Sequence, residues 1–216
     1  MHATARDRQT NAMGLEVLLY VPNVIGYIRV LLVLGSWSCF NNPVVFVFCY
    51  VISIILDGLD GWAARRLNQT SEFGAWLDVV VDNLGRSMLW TMLFEWGWLV
   101  SSLEWCVFVC NHHARGAQWK NSFSESPRWV QAVMAKGFKT PLGVLVIGGL
   151  HVLPVWLYGY QLGVLTEPLC VPDWLQVLGI LLLAVGRTLC FAVEVWCLWS
   201  HVSFLTREDK QVERKE

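Results

Sequence analysis

The 216 residues are 55% hydrophobic and 15% charged, with a formal net charge of −1, whereas a soluble domain is about half apolar and about a quarter charged. That balance excludes an ordinary soluble globule and gives nothing in favour of a nucleic-acid partner, which would call for a basic face. The chain reads as all-α, a polytopic membrane helix bundle in which residues 1–216 form a single domain and the bilayer is a partner.

In chain order, Arg6, Asp7 and Arg8 precede a short apolar run ending at Pro22. No small-residue cleavage site follows it, so the first apolar helix is expected to be retained. Apolar runs place six transmembrane helices at roughly 23–40, 43–66, 74–95, 97–113, 139–160 and 174–204, each near the roughly 20 residues that cross a bilayer. Pro43 suits a first helical turn, where its missing N–H has no partner to lose. A polar connection at about 111–138 is expected to carry an interfacial helix around Arg128 to Lys136. The mixed-charge tail, about 205–216, reads as a solvated end.

Lys and Arg are absent from 36–43, 96–102 and 158–173 but frame the other connections and both termini. The positive-inside rule therefore puts the termini and the two charged loops in the cytosol. Asn68-Gln69-Thr70 matches a glycosylation acceptor but falls in one of those loops, where that modification does not occur. The seven cysteines lie mostly in apolar runs without metal-ligand spacing and read as packing residues. Many of the thirteen tryptophans sit near span ends, as an interfacial belt does.

The second and third spans carry what an apolar helix should not. Asp57, Asp60 and Ala64 share one face of the second; Gly74, Asp78 and Asp82 share one face of the third. At 1.5 Å of rise per residue, all four aspartates lie about 6 to 15 Å below the cytosolic ends of the two helices. Ionised acids at mid-bilayer cost about 2.5 to 3.5 kcal/mol each, so four together require positive charge among them. Pairing with Arg65, Arg66 and Arg86 is the bland account. Hard oxygen ligands at this density suit Mg²⁺ or Mn²⁺, and two ions sharing carboxylates make a clamp for a phosphoryl group.

Asp57-x2-Asp60-Gly61-x2-Ala64-Arg65-x8-Gly74-x3-Asp78-x3-Asp82 fills every fixed position of a known signature. On it the chain resembles the CDP-alcohol phosphatidyltransferase family. VPNVIGYIRV (Val21–Val30) and GWAARRLNQTSEFGAWLD (Gly61–Asp78) are similar to the branch that forms phosphatidylinositol. The resemblance implies the CDP-alcohol phosphotransferase fold. It also implies transfer of a phosphatidyl group from CDP-diacylglycerol to an alcohol, with release of CMP. Myo-inositol is the first choice of acceptor; glycerol phosphate, or CDP-choline or CDP-ethanolamine chemistry on diacylglycerol, are the nearest variants.

Carried over by position, Asp57, Asp60, Asp78 and Asp82 would hold two metal ions, Mg²⁺ or Mn²⁺. Asp82 would also take the proton of the attacking hydroxyl, and Gly61, Ala64, Arg65 and Gly74 would form the CDP pocket. Location in the endoplasmic reticulum and homodimerisation are further implications of the likeness.

Two places depart from the family pattern. Members often carry Lys or Arg after the last aspartate, where this chain has Asn83, with Arg86 about one turn further on. Ala117-Gln118-Trp119-Lys120 replaces a small, hydroxyl-rich stretch. These departures motivate a competing reading, an inactive paralogue serving as a lipid-binding or scaffolding protein; the intact signature opposes it, because buried carboxylates are costly to keep. Elsewhere, His112 and His113 read as interfacial polar residues. Arg115 and Lys139 are candidates for lipid phosphate or acceptor binding. Arg187 and Glu194, seven apart, are expected to form a buried polar tie on one helix face.

Overall fold

The computed structural model describes residues 14–115 and 126–213, with side chains described for 14–111 and 126–206. Those residues contain helices, turns and loops and no strand. They divide into two compact units, the boundary falling after Gly85.

The N-terminal unit comprises a 3-10 turn (Val17–Leu19), α1 (Val21–Ser38), α2 (Pro43–Arg66) and α3 (Glu72–Leu93) as far as Gly85. Local chemistry sets the ends of these helices. Asn42 caps α2 by accepting the Val45 N–H at 3.3 Å, with Pro43 in the first turn as expected. At the other end Gln69 N–H reaches back to the Ala64 carbonyl at 2.9 Å, and Asn68 stands at φ +55°. This is a Schellman stop, in which Asn takes the left-handed position usually given to Gly. Ser71 Oγ then accepts the Gly74 N–H at 3.0 Å and starts α3. The tight reversal makes α2 and α3 antiparallel, with Tyr50 against Gly85 at their far ends.

The C-terminal unit continues α3 from Arg86 and adds α4 (Gly97–Arg115), α5 (Arg128–Phe138), α6 (Pro141–Gln161) and α7 (Asp173–Glu213). A Cβ on Gly149 would strike the backbone of Gly186 and Arg187, and one on Gly186 would strike the Leu145 carbonyl. Small residues thus let α6 and α7 touch backbone to backbone, the usual route to helix association in a bilayer, where apolar burial adds little. Helix α5 forms where an interfacial helix is expected. It buries Val130 with Cys197, and Val133 with Val146 and Cys190, so these two cysteines do pack as apolar residues. Lys136 and Gly137, both at positive φ, break α5 before Thr140 caps α6.

Six long helices occupy the six expected stretches, but four of them, α1, α2, α6 and α7 to Thr206, are both long and apolar enough to cross a membrane. The shortfall is one of composition. Helix α3 has 22 residues but carries Glu72, Asp78, Asp82 and Arg86, and α4 has 19 but carries Glu104 and a polar end from Asn111. The last helix also runs past the expected end near 204, reaching Glu213.

Candidate active site

Three helices of the N-terminal unit converge on one guanidinium. Arg29 of α1 places Nη2 at 2.8 Å from Asp57 and 2.5 Å from Asp82, and Nη1 at 2.8 Å from Asp60 and 2.9 Å from Asp78. The helix spacing and the Asn68 turn bring the four acids together, as the sequence predicts. The cation among them is not Arg65, Arg66 or Arg86. Arg29 was legible as a lone basic residue eight positions into α1, about 12 Å deep and level with the acids. It belongs to no loop, so the charge pattern that orients the helices passes over it.

Arg29 is 2% exposed, whereas the side chains of Asp57 and Asp78 are 36% and 33% exposed and those of Asp60 and Asp82 are 11% and 18%. The tetrad therefore has an open edge and a closed one. Asp60 and Asp78 also line a cleft of about 200 Å³, together with Gly61, Ala64, Arg65 and Gly74. A Cβ at Gly74 would sit 2.7 Å from Asn23 Oδ1, so glycine is what lets α1 approach α3 here. Asn23, buried in the same wall, donates from Nδ2 to the Val17 carbonyl at 2.6 Å, while its Oδ1 has no hydrogen-bond partner.

Do these residues fit divalent ions? Asp57, Asp60 and Asp78 each offer an oxygen, and these atoms lie within 4.8 Å of one another. Four carboxylates and one guanidinium together carry a net charge of −3 when all are ionised. Hard oxygens with surplus negative charge are what Mg²⁺ or Mn²⁺ requires, so the donor set fits.

A second ion cluster lies in the C-terminal unit. Arg86 Nε donates to Glu104 at 2.7 Å, Arg187 Nη2 reaches Glu104 at 3.2 Å, and Arg187 Nη1 pairs with Glu194 at 2.9 Å. Arg86 also lies 3.2 Å from His151 Nδ1. The expected Arg187–Glu194 tie is present; Glu104 and His151 come from other helices, and sequence spacing does not reveal them. Lys139 is exposed at the end of α5. Arg115 closes α4, and its side chain, like those of His112 and His113 and all of residues 117–120, lies outside the described residues.

The sequence model described as CDP-alcohol phosphatidyltransferase matches residues 19–166. The chain is 46% identical over 82 residues to the probable CDP-diacylglycerol–inositol 3-phosphatidyltransferase 2 of Arabidopsis thaliana, covering 38% of this chain and 36% of that one. It is 42% identical over 94 residues to the CDP-diacylglycerol–inositol 3-phosphatidyltransferase of Saccharomyces cerevisiae, covering 43% and 40%. Against the Rattus norvegicus protein of that name it is 34% identical over 101 residues, covering 45% and 47%. In each case the chain spans less than half of the relative's length. No solved structure matches. The family match takes in the whole acid tetrad, the cleft beside it and more than half of the residues, and the chain belongs to the CDP-alcohol phosphatidyltransferase family.

Proposed function

We propose that the chain transfers a phosphatidyl group from CDP-diacylglycerol to an alcohol, myo-inositol being the acceptor, and releases CMP. The observation that carries this reading is the convergence of Asp57, Asp60, Asp78 and Asp82 beside a cleft walled by Gly61, Ala64, Arg65 and Gly74. The activity for which the relatives are named supports CDP-diacylglycerol and inositol as the substrates.

Asp57, Asp60 and Asp78 would hold Mg²⁺ or Mn²⁺, with Asp82 sharing an ion. Bound there, the metals supply Lewis-acid stabilisation of the diphosphate oxygens. The residues of the chain do the remaining work. Gly74 and Gly61 keep the cleft wall low for the nucleotide, Arg65 pairs with its diphosphate, and Asn23 Oδ1 accepts from the amino group of the base. Asp82 receives the proton of the acceptor hydroxyl as that oxygen bonds to the phosphorus bearing diacylglycerol. The bond from this phosphorus to the bridging oxygen breaks, and CMP leaves with the electron pair.

The test is CMP release by purified protein given CDP-diacylglycerol, Mn²⁺ and a panel of alcohols. Release with inositol, abolished by EDTA and restored by Mn²⁺, is the expected result. Release with glycerol phosphate instead reassigns the acceptor, and silence with every alcohol beside an active control removes the enzyme reading. The cytosolic face of the endoplasmic reticulum is the location that the Lys/Arg asymmetry and the family likeness support. A terminal tag in intact microsomes should then be cut by added protease. Homodimerisation rests on the family likeness, and the mass of the purified particle checks it.

A further inference from the structure

We propose that Arg29 is the resident counter-ion of the acid tetrad: it holds the four carboxylates together while metal is absent, and it competes with metal for them. The proposal rests on the reading of the tetrad as a metal site, and it assigns the site's metal affinity to a residue outside the signature.

Three observations carry it. The first is position. Each terminal nitrogen of Arg29 bridges two carboxylates at 2.9 Å or less, so the guanidinium occupies oxygens an ion would need. A Mg²⁺ ion binds oxygen at about 2.0 to 2.1 Å, so ion and guanidinium cannot share those oxygens with every contact intact. The second is charge. Four carboxylates with nothing among them would be hard to hold at this depth, at about 2.5 to 3.5 kcal/mol each before their mutual repulsion. Two divalent ions would neutralise four carboxylates by themselves, and Arg29 would then add a positive charge with no acid left to balance it.

The third observation is how Arg29 is held. Buried donors in a settled structure are nearly always paired, yet Arg29 Nε is buried and has no hydrogen-bond partner. In the second cluster, by contrast, Arg86 uses Nε to bind Glu104 at 2.7 Å. Arg29 is gripped at its tip by the acids, with no acceptor provided along its stem. The open edge formed by Asp57 and Asp78 sets the direction of exchange: an entering ion meets these two acids first, and Arg29 gives up those contacts before the ones to Asp60 and Asp82.

The test measures binding, independently of turnover. Full-length wild type, Arg29→Met, Arg29→Lys and Asp78→Asn are purified in detergent. Mn²⁺ affinity is read from the electron paramagnetic resonance of free Mn²⁺, and thermal unfolding is followed in EDTA and in saturating Mn²⁺. Arg29→Met should bind Mn²⁺ at least tenfold more tightly than wild type and melt lower in EDTA, with the gap closing in Mn²⁺. Arg29→Lys should fall between. If Arg29→Met does not survive EDTA, it is prepared in Mn²⁺ throughout and its affinity obtained by competition with a chelator. Equal or weaker Mn²⁺ binding by Arg29→Met, with wild type binding and Asp78→Asn not, overturns the role of Arg29 and leaves the metal site standing. Failure of both wild type and Arg29→Met to bind Mn²⁺ overturns both.

Discussion

Two ion clusters stand out among the described residues, one in each unit, and both use guanidiniums and carboxylates from several helices. In the C-terminal unit Arg86 and Arg187 face Glu104 and Glu194, two against two, and no side chain of the four is more than 10% exposed. In the N-terminal unit a single arginine faces four aspartates, two of which, Asp57 and Asp78, are about a third exposed. A balanced, closed cluster satisfies itself and ties helices together. An unbalanced, open one carries surplus negative charge, which is the property the proposed cation-assisted phosphoryl transfer would use. Charge count and exposure thus separate cohesion from chemistry where residue type does not.

The contrast can be broken by exchanging what each cluster loses. Asp82→Asn keeps the shape of the tetrad but removes the proposed base, so CMP release should fall by about 10³-fold while the melting temperature does not drop. A drop in melting temperature with turnover preserved would place Asp82 with the cohesive cluster. Glu104→Ala should do the reverse. It strips a partner from both Arg86 and Arg187, leaving buried guanidiniums exposed to a cost of about 3 kcal/mol. Thermal unfolding in detergent, followed by a dye that reacts with newly exposed thiols, should show a fall of several degrees. Unchanged melting would mean that the balanced cluster holds nothing together.

A smaller effect sharpens the boundary of the open site. Gly74→Val brings a branched side chain against Asn23, where even a Cβ lies only 2.7 Å from Oδ1. Overpacking of this kind costs about 1 to 3 kcal/mol. Because the strain falls on the cleft wall, the expected signature is a roughly tenfold rise in KM for CDP-diacylglycerol with a lesser change in kcat. A kcat effect alone would detach Gly74 from nucleotide binding.

How far the sequence could be read depended on how local each determinant was. The six helices follow from apolar runs, and the Pro43, Asn68 and Ser71 ends follow from capping chemistry within a few residues. The meeting of the aspartates follows from 3.6-residue periodicity plus one short turn, and Arg187–Glu194 from two turns of one helix. What the sequence withheld is held across distance in the chain. Arg29 finds acids 28 to 53 positions away, and Glu104 is bound from α3 and α7 together. Each is a lone charge in an apolar helix until its neighbours are placed. The same charges explain why α3 and α4 are poor as membrane helices by composition: the residues that make the clusters are the ones that lower their apolar character.

Asn23 and Arg29 are borne by one helix, six residues and about 9 Å apart. One wall residue of the cleft and the cation among the acids therefore ride on a single rod, so a displacement of α1 would register at both. If the proposed nucleotide and ion both act through α1, each would change the affinity for the other by the same factor, because such linkage is reciprocal.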